Sequence, residues 1–134
     1  MSELDQVVAN LFGAFNRRAV DEVAALCATD VRFDAASADL AGREGAYSGL
    51  EGMRDYFHDV ASVWDELLIT PRRVLVRGDE ALVIGRVFAR GRRVGLRDLP
   101  IAWRLSVRDG LIARITVYED RVAAISDWDR SAPN

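Results

Sequence analysis

The chain has 134 residues, half of them hydrophobic and 29% charged, with a formal net charge of −3 at pH 7. That size fits one domain, residues 1–134, with a substantial core and little room for a second. The longest apolar runs fall well short of the roughly eighteen residues a membrane-spanning helix needs, and a single cysteine, Cys27, excludes an internal disulfide.

In chain order, Leu4, Val7, Val8, Leu11, Phe12 and Phe15 make one apolar stripe at helical spacing, with Ser2 as a candidate N-cap. A short second helix is expected from Asp21, with Val23, Leu26 and Cys27 turned inward. From Asp30 the period becomes two: Val31, Phe33 and Ala35 fall on one side of a short strand, and Arg32 and Asp34 on the other. Residues 36–47 carry no period and read as a loop long enough to form a lid or mouth. Ser48 and Glu51 have capping-box spacing and predict a third helix to about Glu66, with Leu50, Met53, Phe57, Val60, Ala61 and Trp64 on one face.

Strands are then predicted near 67–77, 80–91, 96–108 and 111–120. Gly78-Asp79 and Asp109-Gly110 mark tight turns between them, and Gly91 to Gly95 a looser one. From about Arg121 the tail has room for one short helical turn. Strands joined by short turns form an antiparallel meander. Helix, helix, strand, helix and four strands then give an α+β domain with its helices on one face of the sheet.

All 18 basic residues are arginines, which excludes lysine Schiff-base and lysine general-base chemistry. They are unevenly placed: residues 1–70 hold 13 acids and 5 arginines, whereas residues 71–108 hold 10 arginines and 3 acids. A basic stretch invites a nucleic-acid reading, but aromatics do not interleave these arginines as a stacking platform requires. Solvated or interface arginines on one sheet face are the expected arrangement. Glu3 and Asp5 stand where a secretory leader is basic, so a cytoplasmic location is expected. With one histidine and one cysteine, neither a zinc site nor a metal cofactor is expected. Gly91-Arg92-Arg93-Val94-Gly95 is a hairpin rather than a phosphate-cradling loop. His58 sits beside the apolar stripe of its helix and reads as a part-exposed surface residue.

Three stretches carry a resemblance: Ala28 to Asp34, Tyr47 to Met53, and Asp109 to Ile112 followed by Tyr118-Glu119-Asp120. With the element order, they make residues 3–125 similar to the nuclear transport factor two–like superfamily, in its polyketide-cyclase-like (SnoaL-type) branch. The resemblance implies a curved, mixed, mostly antiparallel sheet wrapped around a long helix, a cone-shaped α+β barrel with a pocket at its open end. It also implies a homodimer formed through the outer sheet face. Activity does not follow, because the superfamily hosts isomerases, cyclases, hydrolases and non-catalytic binders.

The resemblance also places candidate chemistry. Asp34 matches the base of the ketosteroid-isomerase branch, where a carboxylate in an apolar cone takes a proton from beside a carbonyl. Alternation along the strand equally pairs it with Arg32 as a solvent-facing residue. The oxyanion-hole positions hold Phe12 and Phe15 rather than a tyrosine, and Trp103 rather than an acid. Asp120 and Arg86 resemble the aspartate and arginine of the epoxide-hydrolase branch, whose second aspartate falls at Phe88 here. The alternative for Asp120 is an ion pair with Arg86 or Arg121.

The resulting expectation is a small apolar ligand, no cofactor, and either binding alone or acid–base chemistry. The catalytic residues would be Asp34, Asp120 and Arg86, with Tyr118 as an alternative donor. Tyr47, Tyr56, Phe57, Trp64, Phe88, Trp103, Tyr118 and Phe15 would line the pocket. The rival reading is a non-catalytic dimeric binding or scaffold protein.

Overall fold

A computed structural model describes residues 3–35, 46–91, 93 and 95–131. The elements are α1 (Glu3–Asn16), α2 (Val20–Leu26), β1 (Cys27–Ala35), β2 (Ala46–Ser48), α3 (Gly49–Val63), β3 (Glu66–Arg77), β4 (Glu80–Gly91), β5 (Gly95–Arg108), β6 (Leu111–Tyr118) and α4 (Arg121–Arg130). The six strands form one sheet in the order β2-β1-β6-β5-β4-β3. Only β1 and β6 pair in parallel; the other neighbours are antiparallel. The sheet is a curved open layer with β2 and β3 at its edges, so the expected α+β class holds while the barrel does not close.

The late hairpins follow from local chemistry. Asp109 and Gly110 both take positive φ, 54° and 79°, as a two-residue type I′ turn demands. The curvature has its own cause in β3, where the pairing register slips between Pro71 and Arg73. There the Thr70 carbonyl presses onto Gly85 of β4: a Cβ at Gly85 would sit 2.2 Å from the Thr70 oxygen. Only glycine lets the two backbones approach this closely.

Period-two alternation assigns the two faces. The concave face carries Val83, Val87 and Ala89 of β4 and Leu99, Ile101, Trp103 and Leu105 of β5, paired in register as Ala89–Arg97, Val87–Leu99 and Val83–Trp103. Helices α1 and α3 cover it. From α1 come Leu4, Val8, Leu11, Phe12 and Phe15, and from α3 come Met53, Tyr56, Phe57 and Val60, all buried in one core with Phe33 and Trp103. Each such side chain contributes roughly 1.5–3 kcal/mol on burial.

Four expectations need correction. Cys27 starts β1 rather than ending α2, though it is buried as expected. Residues 46–48 pair with β1 as a short strand instead of belonging to the loop, and residues 36–45, read as a lid, lie outside the described residues. Ser48 caps α3 with no side-chain hydrogen bond, because the chain enters the helix through Gly49 at φ +71°, which displaces Ser48 from capping-box geometry. The tail is a full helix, α4, and it packs on the outer face: Ala124 and Trp128 join Leu82, Ile84 and Ala102. The helices therefore do not all share one face. No described helix is long and apolar enough to cross a membrane.

Candidate functional site

Between α3 and the concave ends of β3–β5 lies a cavity of about 290 Å³. Its floor is built from cross-strand rows. Leu67 of β3 pairs with Ala89, which pairs with Arg97; Ile69 pairs with Val87, which pairs with Leu99. Tyr56, Val60 and Trp64 come from α3 and its end, Ile101 and Trp103 close the inner side, and Glu119 follows β6 at the rim. Two residues apart on a strand means one face, so Arg97, Leu99, Ile101 and Trp103 all reach this space. The wall is thus aliphatic and aromatic, with its charged members, Arg97 and Glu119, exposed at the mouth.

The floor is held in place from the edge of the sheet. On β3, Ile69 donates its backbone N–H to Asn16 Oδ1 at 2.8 Å, and Asn16 Nδ2 donates to the Ile69 carbonyl at 2.8 Å. One carboxamide at the end of α1 thereby stands in for a neighbouring strand.

Two polar groups meet the inner wall. Tyr56 is buried, and burial first, then the neighbouring Tyr47, pushes its phenol well above the usual tyrosine range, so it stays a neutral donor. Trp103 is 2% exposed and its indole Nε1 has no hydrogen-bond partner among the described residues. Phe12, Phe15 and Phe33 pack around Trp103 in edge-to-face geometry, with centroids 5.0, 5.4 and 6.0 Å away.

The residues expected to do chemistry are not brought together. Asp34 lies on the side of β1 opposite Phe33. Arg32 Nε donates to it at 3.1 Å and Arg114 Nε at 2.9 Å. Arg86 is on the outer face, donating to Asp98 at 3.0 Å. Asp120 is the N-cap of α4 and accepts from the backbone N–H groups of Val122 and Ala123 at 2.9 and 3.2 Å. None of the three lines the cavity. Alternation explains all of this: each occupies a strand parity, or a helix-start position, that turns away from the concave face.

Of the expected lining residues, Tyr56, Trp64 and Trp103 reach the cavity. Phe15, Phe57 and Tyr47 are core, Tyr47 donating its hydroxyl to Asp59 at 2.9 Å. Phe88 and Tyr118 belong to the outer face, where Phe88 pairs with Leu68 and Tyr118 with Ala102. Burial, then Asp127, raises the Tyr118 phenol. The aliphatic floor and Arg97 were missed, although the alternation through Arg97, Leu99, Ile101 and Trp103 is visible in the sequence and would have found them.

His58 is exposed on α3, and no cluster of three metal-ligating side chains occurs among the described residues. Part of the basic stretch is spent on acids: Arg86 with Asp98, Arg90 with Glu66, Arg104 with Glu80 and Arg108 with Asp30 all form ion pairs.

Comparison with known proteins agrees with this architecture. A family model described as a SnoaL-like domain matches residues 8–115. A nuclear transport factor two–like protein of unknown function from Burkholderia pseudomallei is 21% identical, with 94% of this chain and 97% of that one covered at a TM-score of 0.82. TerC, crystallised with polyporic acid, is also 21% identical, covering 93% and 97% at a TM-score of 0.81. A Mycobacterium tuberculosis protein in complex with estradiol-17beta-hemisuccinate is 16% identical, covering 91% and 97% at a TM-score of 0.78. At these identities the structural likeness concerns the fold. No curated protein matches the sequence.

Proposed function

The chain belongs to the SnoaL-like domain family, and from that premise we propose that it binds a small, predominantly apolar ligand in the cavity between α3 and β3–β5. The observation that carries this reading is the cavity itself: about 290 Å³, walled by aliphatic and aromatic side chains and charged only at its rim. Natural small-molecule sites have this character, and the volume lies just below their usual range of about 300–1,000 Å³. Two proteins of the same fold crystallised with small organic molecules support it.

Binding rather than catalysis is the better-supported role. Asp34, Asp120 and Arg86 are engaged away from the cavity, which leaves the exposed Glu119 as its one lining carboxylate among the described residues. Assembly as a homodimer belongs to the same proposal. Leu68, at 47% exposure, and Leu96, at 62%, stand on the outer face beside Phe88, and a partner would cover them. Sedimentation equilibrium tests this, and a concentration-independent monomer mass refutes it.

The test of the ligand reading is a bulky substitution on the floor. Val87→Trp fills the cavity from β4 without touching the rim. It should abolish uptake of N-phenylnaphthylamine, a neutral fluorescent probe, while the circular dichroism spectrum stays that of the wild type. Undiminished uptake by the filled variant would refute the site.

A further inference from the structure

The two charges at the rim are not equivalent. Arg97 heads the concave row of β5, opposite Ala89, and lines the cavity beside Leu99. Six other arginines of the sheet have a carboxylate partner: Arg32, Arg86, Arg90, Arg104, Arg108 and Arg114. Among the described residues Arg97 has none, and neither have Arg72, Arg73 and Arg77 of β3, but of these four only Arg97 lines the cavity, where its five N–H donors are open to a ligand. Glu119 shares the cavity without pairing to it. In the β5–β6 register Tyr118 faces Ala102, which puts Glu119 beside position 101, four residues along β5 from Arg97. At about 3.3 Å per residue their backbone positions are about 13 Å apart along the strand. Between them runs the apolar floor of Val87, Leu99 and Ile101.

Resting on the ligand reading above, we propose that the site selects amphipathic anions: an apolar body on the aliphatic floor with a carboxylate or sulfonate held by Arg97. A guanidinium is suited to this because its planar fork donates two parallel hydrogen bonds to an oxyanion. The exposed Leu99 beside it, at 44%, becomes covered by the ligand, and removing that water strengthens the contact between the charges. An uncharged ligand of the same shape gains the floor but not the anchor.

A matched pair of probes tests this. Anilinonaphthalene sulfonate and N-phenylnaphthylamine have the same aromatic body and differ in the sulfonate. The wild type should bind the sulfonate more tightly. Arg97→Gln should weaken the sulfonate by about tenfold and the neutral probe by less than about twofold, the loss of one charge-assisted contact. Arg97→Lys should restore part of the difference. Arg86→Gln, a charge change of the same sign and size on the outer face, should leave the sulfonate within about twofold, given its pairing with Asp98 and ionic screening. Equal effects of Arg97→Gln on both probes, or none on either, would overturn the proposal. So would a loss at Arg86→Gln matching the loss at Arg97→Gln, which would mean that the probe senses only the net charge of the protein. If the wild type takes up neither probe, the ligand reading falls and this one with it. If the neutral probe binds and is blocked by Val87→Trp while the sulfonate shows no dependence on Arg97, only this inference fails.

Discussion

At the scale of single residues, burial rather than identity decides chemical role. Cys27 is a thiol in apolar surroundings, 5% exposed, and burial pushes its pKa up to about 11 from 9.0. A buried thiol is a packing residue, not a nucleophile. Its linkage has a definite sign. In the unfolded chain the thiol ionises near pH 9, while in the folded chain it keeps its proton to about pH 11. The unfolded state therefore binds fewer protons in that window, and stability falls as pH rises from 9 towards 11, at up to about 1.4 kcal/mol per unit from this group. Tyr56, held neutral by burial, acts in the same direction at higher pH. Urea titrations at pH 8 and pH 10 should show Cys27→Ala losing less stability over that interval than the wild type; equal losses would refute the assignment. Asp34 makes the opposite point. Its residue type suits a base, but its carboxylate is held by two arginine partners, Arg32 and Arg114.

At the scale of elements, α4 shows how a polar residue that reads as chemistry turns out to be architecture. Asp120 accepts two backbone N–H groups that would otherwise be orphaned at the helix start, and its charge faces the positive end of the helix dipole. Trp128 anchors the other end against the sheet. Arg77 lies over its ring at 3.9 Å and Arg104 at 5.2 Å, while Arg104 also donates to Glu80 at 3.1 and 3.2 Å. Asp120→Ala should lower the unfolding free energy by about 1 kcal/mol, and Asp120→Asn by much less, because asparagine also caps well. Chemical denaturation separates these outcomes. Equal losses would mean that the charge, not the cap, matters. Probe binding in the cavity should not change, since α4 lies on the opposite face.

At the scale of the whole molecule, the cavity exists because the sheet bends. A slipped register bends a strand, and here it falls at Pro71, where the Thr70 carbonyl lies against Gly85. Gly85→Ala puts a methyl group into backbone atoms, which cannot swing aside as a side chain does. We expect a loss of about 1–3 kcal/mol, with weaker uptake of N-phenylnaphthylamine as β3 and its lining residues Leu67 and Ile69 move outward. Thermal unfolding and probe titration read the two effects. A variant with unchanged stability would show that the sheet takes its curvature from elsewhere.

Local pattern determined much of this protein. The stripe of α1, the stripe of α3 and the alternation of β3 to β6 lie within short windows, so the type and order of these elements, the α+β class and the tight turns could be read from the chain, whereas the short β2 and the full length of α4 could not. The family resemblance followed from the same order and is borne out. Only the tertiary structure decided which face each alternating row would occupy, because period two defines two faces without saying which is concave. That is why the sequence alone points to Phe88 as lining and Arg86 as catalytic although their parity belongs outside, and does not single out Val87 and Leu99. It also decided that α4 would cross to the outer face and that Arg97 would be left without a carboxylate, since ion pairs across a sheet join residues far apart in sequence and depend on the register of neighbouring strands.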